Sequence, residues 1–233
     1  KSHSGQDFKI TYLKGTGSNL SKAFNLGIKV SSNKKILIMN SDCTFEKGQL
    51  VKICDLLDYH DVIKTKIRFV YGSYSEKLVS KMRKLFHEYF NDGKNLFGPG
   101  LAFEKTIKNK IGGYFYDEGI AWGEDGELTK RINHANLNLL TLKSHIVHAP
   151  ETMAHDLRVA MKIGSGKRVA DIKSNKTLNS GILCLILENL LDRKGHFRLS
   201  YKHSGIQLVC YLTVWKVAFL LGYVQYGLKP KVN

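Results

Sequence analysis

The sequence predicts an α/β domain built on a mixed sheet, followed by a helical extension. Three observations carry that prediction: short apolar runs rich in β-branched residues, amphipathic stripes between them, and a change of texture near residue 150. Residues 1–150 are expected to form the sheet domain, and residues 151–233 a basic helical extension.

In chain order, "DFKITYLKG" (7–15) reads as a strand and "SNLSKAFNLGIKVSS" (18–32) as a short helix with Ala23, Phe24 and Gly27 on its packing face. "KKILIMN" follows as a strand covered on both faces, the kind that belongs to a parallel sheet. It ends on Asn40, Ser41 and Asp42. A carboxylate there either caps the next turn or faces a ligand, because open α/β sheets bind just beyond the carboxyl ends of their strands. "EKGQLVKICDLLDYH" carries a helical stripe at 50, 53, 54 and 57, and "DVIKTKIRFVYG" has strand character. Residues 75–91 place Leu78, Met82, Leu85, Phe86 and Phe90 on one helical face. "GPGLAFEKTIKNKIGGYFYDEG" is punctuated by glycine and predicts short strands and turns around an open pocket. "EDGELTKRINHANL" predicts a helix and "NLLTLKSHIVHAP" a closing strand.

Beyond residue 150, "ETMAHDLRVAMKIGSGKRVADIKSN" predicts a helix ended by Gly164 and then a basic loop. "GILCLILENLL" is too short to span a bilayer, and "LVCYLTVWKVAFLLGYV" carries Lys216 near its middle. The second predicts an interfacial helix, with Tyr211, Trp215 and Tyr223 at headgroup level; the competing reading is a core or dimer helix with Lys216 on its wet face.

Composition narrows the partners. The formal net charge is +16, with 36 Lys and Arg against 20 Asp and Glu, which favours nucleic acid, phosphorylated small molecules or an acidic membrane. Residues 157–203 hold ten of those bases against three acids, so the excess lies towards the C-terminus. Aromatic and basic interleaving, zinc-finger spacing and RNA-binding signatures are all missing, which argues against nucleic acid. Cys43, Cys54, Cys184 and Cys210 are widely spaced and predict free thiols in a reducing compartment, with no structural zinc. The first ten residues show no targeting signal.

Chemistry concentrates in two places. Asp42 closes a strand, and Glu124 and Asp125 open a helix after the glycine- and aromatic-rich loop 111–123. Acidic residues suit a helix N-terminus whatever the function. Near a strand-end carboxylate, however, they also suit holding a metal diphosphate and removing a proton. Gly100, Gly112, Gly113 and Trp122 are expected on the acceptor side of such a pocket.

Taken in order, "GTGSNLSKAFNLGI", "ILIMNSDCTFEKGQL", "GPGLAFEKTIKNKIGGYFYDEGIAWGEDGELTKRI" and "HIVHAPETMAHDLRVAMKIGSGK" resemble family 2 glycosyltransferases of the GT-A fold over about residues 8–168. The resemblance implies Asp42 as metal or diphosphate ligand, Asp125 as general base beside Glu124, and His148 as a further metal ligand, with His155 the fallback. Lys22, Asn25, Asn40 and Ser41 fall on the donor side; Phe24 stands where the family often has Arg, and Asn40 where many members have a first Asp. Asn40 still hydrogen-bonds a ribose but adds no charge, so the cation, Mn²⁺ or Mg²⁺, rests on Asp42. This chain opens just after the point where the family has its first strands, so the domain is expected to be N-terminally truncated, with Lys1 to Gly5 near the base pocket.

The expected activity is transfer of a sugar from a nucleotide-diphosphate donor to a hydroxyl acceptor, with inversion, in cell-surface polysaccharide or glycolipid synthesis. The expected place is the cytoplasmic face of a membrane, as a peripheral protein. The alternatives are a catalytically inactive relative serving as an interaction subunit, and a sugar nucleotidyltransferase.

Overall fold

The computed structural model describes residues 11–14, 19–89, 96, 98–190 and 195–228. The strand predicted over 7–15 and the position of Phe90 fall wholly or partly outside these, and residues 11–14 have no regular structure. The described order is α1 (Leu20–Val30), β1 (Lys35–Ile38), β2 (Cys43–Phe45), α2 (Gln49–Leu56), β3 (Val62–Phe69), α3 (Tyr74–Glu88) and β4 (Leu101–Glu104). A 3₁₀ turn (Lys105–Asn109), α4 (Glu124–His134), β5 (Leu139–His148), α5 (Met153–Lys173), α6 (Leu178–Leu190) and α7 (His196–Leu228) follow.

Local chemistry sets several boundaries. Asn19 caps α1, its side-chain oxygen accepting from the Lys22 amide at 3.1 Å. Ser73 and Glu76 form a reciprocal capping box at the start of α3. The Gly48 and Gly123 N-caps of α2 and α4 are left-handed and make no side-chain cap bond.

The five strands form one mixed sheet in the order β1-β4-β3-β5-β2, and only the β3–β5 pair is parallel. The expectation of a doubly covered parallel strand over Ile36–Met39 is therefore corrected. β1 pairs antiparallel with β4, lies at the sheet edge among the described strands, and alternates between half-buried and buried residues. The strand covered on both faces is the central β3, where Val62, Ile63, Lys64 and Thr65 are all buried. An apolar run is the same signal for either position, and only pairing separates them.

The sheet buries a core on each face. Ile28 of α1 and Leu128 and Ile132 of α4 pack with Ile36, Ile38, Leu101 and Phe103 on one side. Ile53 and Leu57 pack with Ile63, Ala102 and Leu142 on the other. A separate helical core joins α3, α5 and α7 through Val79, Met82, Leu85, Ala160, Leu208, Leu212 and Trp215.

Two expectations about the extension are corrected here. α5 does not end at Gly164 and no basic loop follows it; the helix runs to Lys173. Gly164 serves a close crossing instead. A Cβ there would lie 1.9 Å from the Phe219 carbonyl oxygen, and one at Gly222 equally close to that of Met161. Glycine lowers helix propensity by only about 1 kcal/mol, which tertiary packing readily offsets. Tyr211, Trp215 and Tyr223 do not reach a headgroup level either, since each is less than 9% exposed. Trp215 packs on Phe86 with ring centroids 4.7 Å apart, and Tyr223 donates to Asp171 at 3.0 Å. The periodicity of α7 indicated an apolar helix but could not say which face meets protein.

Candidate functional site

The β2–β5 ladder assembles the first half of the site. Cys43 lies opposite His148 in register, and the Ala149 amide donates to the Asp42 carbonyl at 2.9 Å. Two residues 106 positions apart thus meet through main-chain pairing, with His148 Nε2 3.6 Å from Asp42 Oδ2. Asp42 keeps 48% of its side chain exposed, whereas His148 is buried against Phe69 with ring centroids 4.9 Å apart.

The ring's orientation follows from its partners. Nδ1 lies 2.8 Å from the Ala149 carbonyl oxygen, which only accepts, so Nδ1 carries the proton. Nε2 then points at carboxylate oxygens of Asp42 and, at 3.4 Å, of Glu151. One ring nitrogen and two carboxylates converging on one point fit a divalent metal, which would take the imidazole neutral and the acids ionised. Cys43 Sγ joins Asp42 and His148 in a cluster whose ligand atoms lie within 4.8 Å of one another. Burial and then the charge of Asp42 push its thiol up to about 12, so it stays protonated and suits hard oxygen-seeking cations poorly.

Behind His148 runs a network that sequence reading missed. Glu151 pairs with Arg83 at 3.3 Å, Arg83 also pairs with the fully buried Asp156, and Asp156 accepts from the Tyr211 hydroxyl at 2.5 Å. The chain joins α3, α5 and α7 to the site. Two sequence signals were available: Glu151 stands three residues after His148, and Arg83 interrupts the apolar face of α3.

The second half gathers at the carboxyl end of β1. The Gly100 amide donates to the Ile38 carbonyl at 2.9 Å, and the Gly98 amide donates to Asp125 Oδ2 at 3.2 Å. Asp125 is therefore tied to the loop before β4 rather than capping its own helix, whose N-cap is Gly123. Its Oδ1 is buried and has no hydrogen-bond partner among the described residues. Burial raises the carboxyl of Asp125 above the usual carboxylate range, and burial together with the charge of Asp125 raises that of Glu124 as well. The remaining expected residues are placed as follows. Gly100 is buried with φ +77°, and a Cβ there would strike the Thr65 hydroxyl, so it serves the strand crossing. Gly112 and Gly113 are exposed in the loop, while Trp122 is half-buried beneath Lys162, whose Nζ lies 4.4 Å from the ring.

That loop is not open-ended. Asn25 donates to the Tyr116 carbonyl at 2.8 Å and accepts from its amide at 3.1 Å, so both ends of its amide hold the loop. Arg131 donates to the carbonyls of Ile111, Tyr114 and Phe115, and Lys173 binds both oxygens of Asp117. Although burial works against it, the Lys173 ammonium holds the Asp117 carboxyl below its ordinary value, leaving a poor proton acceptor. Lys22 and Ser41 are exposed, Asn40 is half-buried, and Phe24 and Met39 line an open groove between α1 and β1. His155 is exposed on α5.

Comparison with known proteins bears on the family. No curated protein matches the sequence. Among solved structures, S. aureus TarS is 17% identical with a TM-score of 0.41, covering 88% of this chain and 42% of the TarS chain. TarS 1–349 in complex with UDP-GlcNAc is 14% identical with a TM-score of 0.43, covering 94% of this chain and 74% of that one. The chain thus spans under half of the first of these. The family model "Glycosyl transferase family 2" matches residues 1–113, the stretch holding Asp42 and the glycine loop up to Gly113. Residues 1–113, just under half of the chain, are therefore similar to glycosyl transferase family 2.

Proposed function

We propose that the protein transfers a sugar from a nucleoside-diphosphate donor to a hydroxyl acceptor with inversion, in cell-surface glycan or glycolipid synthesis at the cytoplasmic face of a membrane. The observation that carries the reading is the meeting of Asp42 with the proton-bearing, oriented ring of His148 at a strand end, within a chain whose first 113 residues match the family.

The roles follow from the environments. Asp42 and His148 are the residues that would hold Mn²⁺ or Mg²⁺, with Glu151 3.4 Å from His148 Nε2. When bound, the cation neutralises the charge that develops on the leaving diphosphate. Asn40 and Ser41 sit where they meet the donor's sugar or ribose hydroxyls, and Lys22 supplies positive charge on α1. Asp125 accepts the acceptor's proton: its carboxyl is raised by burial towards the working pH, which suits a general base, and Gly98 N–H fixes its direction. The loop carrying Gly112 and Gly113, with Trp122, borders the acceptor. Asn25 acts by holding that loop, and Gly100 by holding the strand-end backbone in place.

The test is to incubate the full-length protein with a panel of nucleotide sugars and Mn²⁺ and to identify products by mass spectrometry. A glycosylated acceptor with inverted anomeric configuration supports the reading. Donor binding without transfer or hydrolysis would favour an inactive interaction subunit, and release of a nucleotide triphosphate from a sugar nucleotide and pyrophosphate would favour a nucleotidyltransferase.

A further inference from the structure

Because Tyr211, Trp215 and Tyr223 are inside, the surface that α7 presents outward is a different one. Ile206, Val214, Val217 and Leu221 are each between 49 and 63% exposed and recur at helical spacing on one face. Their span is about 22 Å at 1.5 Å per residue. Opposite them, Leu208, Leu212, Trp215 and Ala218 fill the core shared with α3 and α5. α6 leaves Leu183, Ile186 and Leu187 exposed as well. A helix that has already satisfied its protein-facing side has no folding reason for a second apolar stripe.

The charges on α7 indicate what covers it. From His196 to Leu228 there is no Asp or Glu, while Arg198, Lys202 and Lys216 are basic. Arg198 and Lys202 are exposed on the short segment that precedes Gly205, where a left-handed backbone (φ +68°) breaks the helix just before Ile206. Two copies meeting on this face would bring together helices of like charge, whereas an anionic lipid surface complements both the apolar and the basic residues. The helix is long and apolar enough to cross a membrane by length and composition. Crossing is opposed by its partner, because α5 buries Asp156 with Arg83 and pairs Asp171 with Lys167 at 2.5 Å, charges that would enter hydrocarbon alongside it.

Resting on the membrane-peripheral reading above, we propose that the Ile206–Val214–Val217–Leu221 face of α7 seats in the headgroup–acyl boundary of an anionic bilayer, with the part of the helix after Gly205 lying along the surface. Insertion of the apolar stripe supplies affinity, and Arg198 and Lys202 supply the preference for anionic lipid. Trp215 takes no part in it.

Vesicle flotation of the full chain tests this, using phosphatidylcholine alone and phosphatidylcholine mixed equally with phosphatidylglycerol. The parent should float with the anionic vesicles, and Val217→Glu with Leu221→Glu together should cut the bound fraction at least ~10-fold. Arg198→Gln and Lys202→Gln should weaken anionic binding about fivefold per charge while leaving neutral vesicles unaffected. Thermal melts by circular dichroism must match the parent; if the double Glu variant is misfolded, Val217→Ser with Leu221→Ser replaces it. A parent that stays at the bottom, or Glu and Ser variants that float like the parent, overturns the proposal. So does a parent dimer in light scattering that the variants dissociate without any flotation, which would make a second copy the occupant. Binding of nucleoside diphosphates, measured in parallel, separates this from the transferase reading, since lipid contact can fail while donor binding stands, and the reverse.

Discussion

His148 Nε2 is linked to two carboxylates in opposite settings, one reached directly and one through a relay that starts at Glu151. On one side Asp42 approaches Nε2 to 3.6 Å with nearly half its side chain in water. On the other, Asp156 is fully buried and reaches the ring only through Arg83 and Glu151. An exposed carboxylate gains little from a fixed ion pair and can exchange partners for a ligand at small cost. A buried one cannot be left alone, since stranding its charge costs several kcal/mol. The difference fits a division of labour in which, under the proposed function, the water-facing side binds and the buried side positions. Asp125 combines the two settings, being sealed from water on Oδ1 while the proposed function has it accept a proton.

The largest effect should come from breaking the buried side. Arg83→Met strands Asp156 and Glu151 and should lower unfolding free energy by about 3–5 kcal/mol, read from urea denaturation. A loss under ~1 kcal/mol would mean that the two acids are held by other groups and that the two sides do not differ in kind.

Next comes Asp125→Asn, which keeps the shape and an acceptor for the Gly98 amide but cannot take a proton. Transfer should fall at least ~10²-fold with donor affinity nearly unchanged. The linkage sign adds a second readout. A carboxyl whose folded pKa is raised binds more protons folded than unfolded, so its ionisation lowers stability as pH climbs through and above the unfolded value. Removing the charge should therefore make the Asn variant at least as stable as the parent at pH 8, with the advantage vanishing at pH 4. An Asn variant that transfers sugar normally would move the base to Glu124.

On the exposed side the pattern inverts. Asp42→Ala should weaken Mn²⁺ binding about 10- to 100-fold in calorimetry, the scale for losing a ligand or its support. Stability should change by less than ~0.5 kcal/mol, because the hydrogen bond tying this turn to β5 is made by the Asp42 carbonyl, which alanine retains. Unchanged Mn²⁺ affinity would return Asp42 to the role of a turn residue.

The smallest and broadest effect is on pH. Burial raises both Glu124 and Asp125, so transfer should climb with pH through a region above the ordinary carboxylate range, because the base works only when ionised. A rate already flat from pH 4 upward would place the base in water rather than in this pair.

How far the sequence alone reached can be seen in particular residues. The helices α1, α3 and α4 and the strand runs of β1, β3 and β5 were legible because periodicity is a local property of the chain, but the packing face of α1 was not: Ala23 is exposed, and Ser21 and Ile28 are the buried residues. Asp42, Asp125 and His148 were singled out as a set only through the resemblance of ordered motifs to a family, and the fold brings two of them, Asp42 and His148, together. What stayed hidden depends on residues far apart in the chain. β1 looks like an inner parallel strand until its antiparallel pairing with β4 is known. Gly164 looks like a helix end until Phe219 is found against it. Trp215 and Val217 are neighbours in one apolar run, and no local rule says that the first faces Phe86 and the second faces solvent. Tertiary packing chose between them because α3 and α5 can bury only one side of a helix. Arg83, Glu151 and Asp156 became a network for the same reason: charge pairing acts through space, and α3 and α5 meet only in the fold.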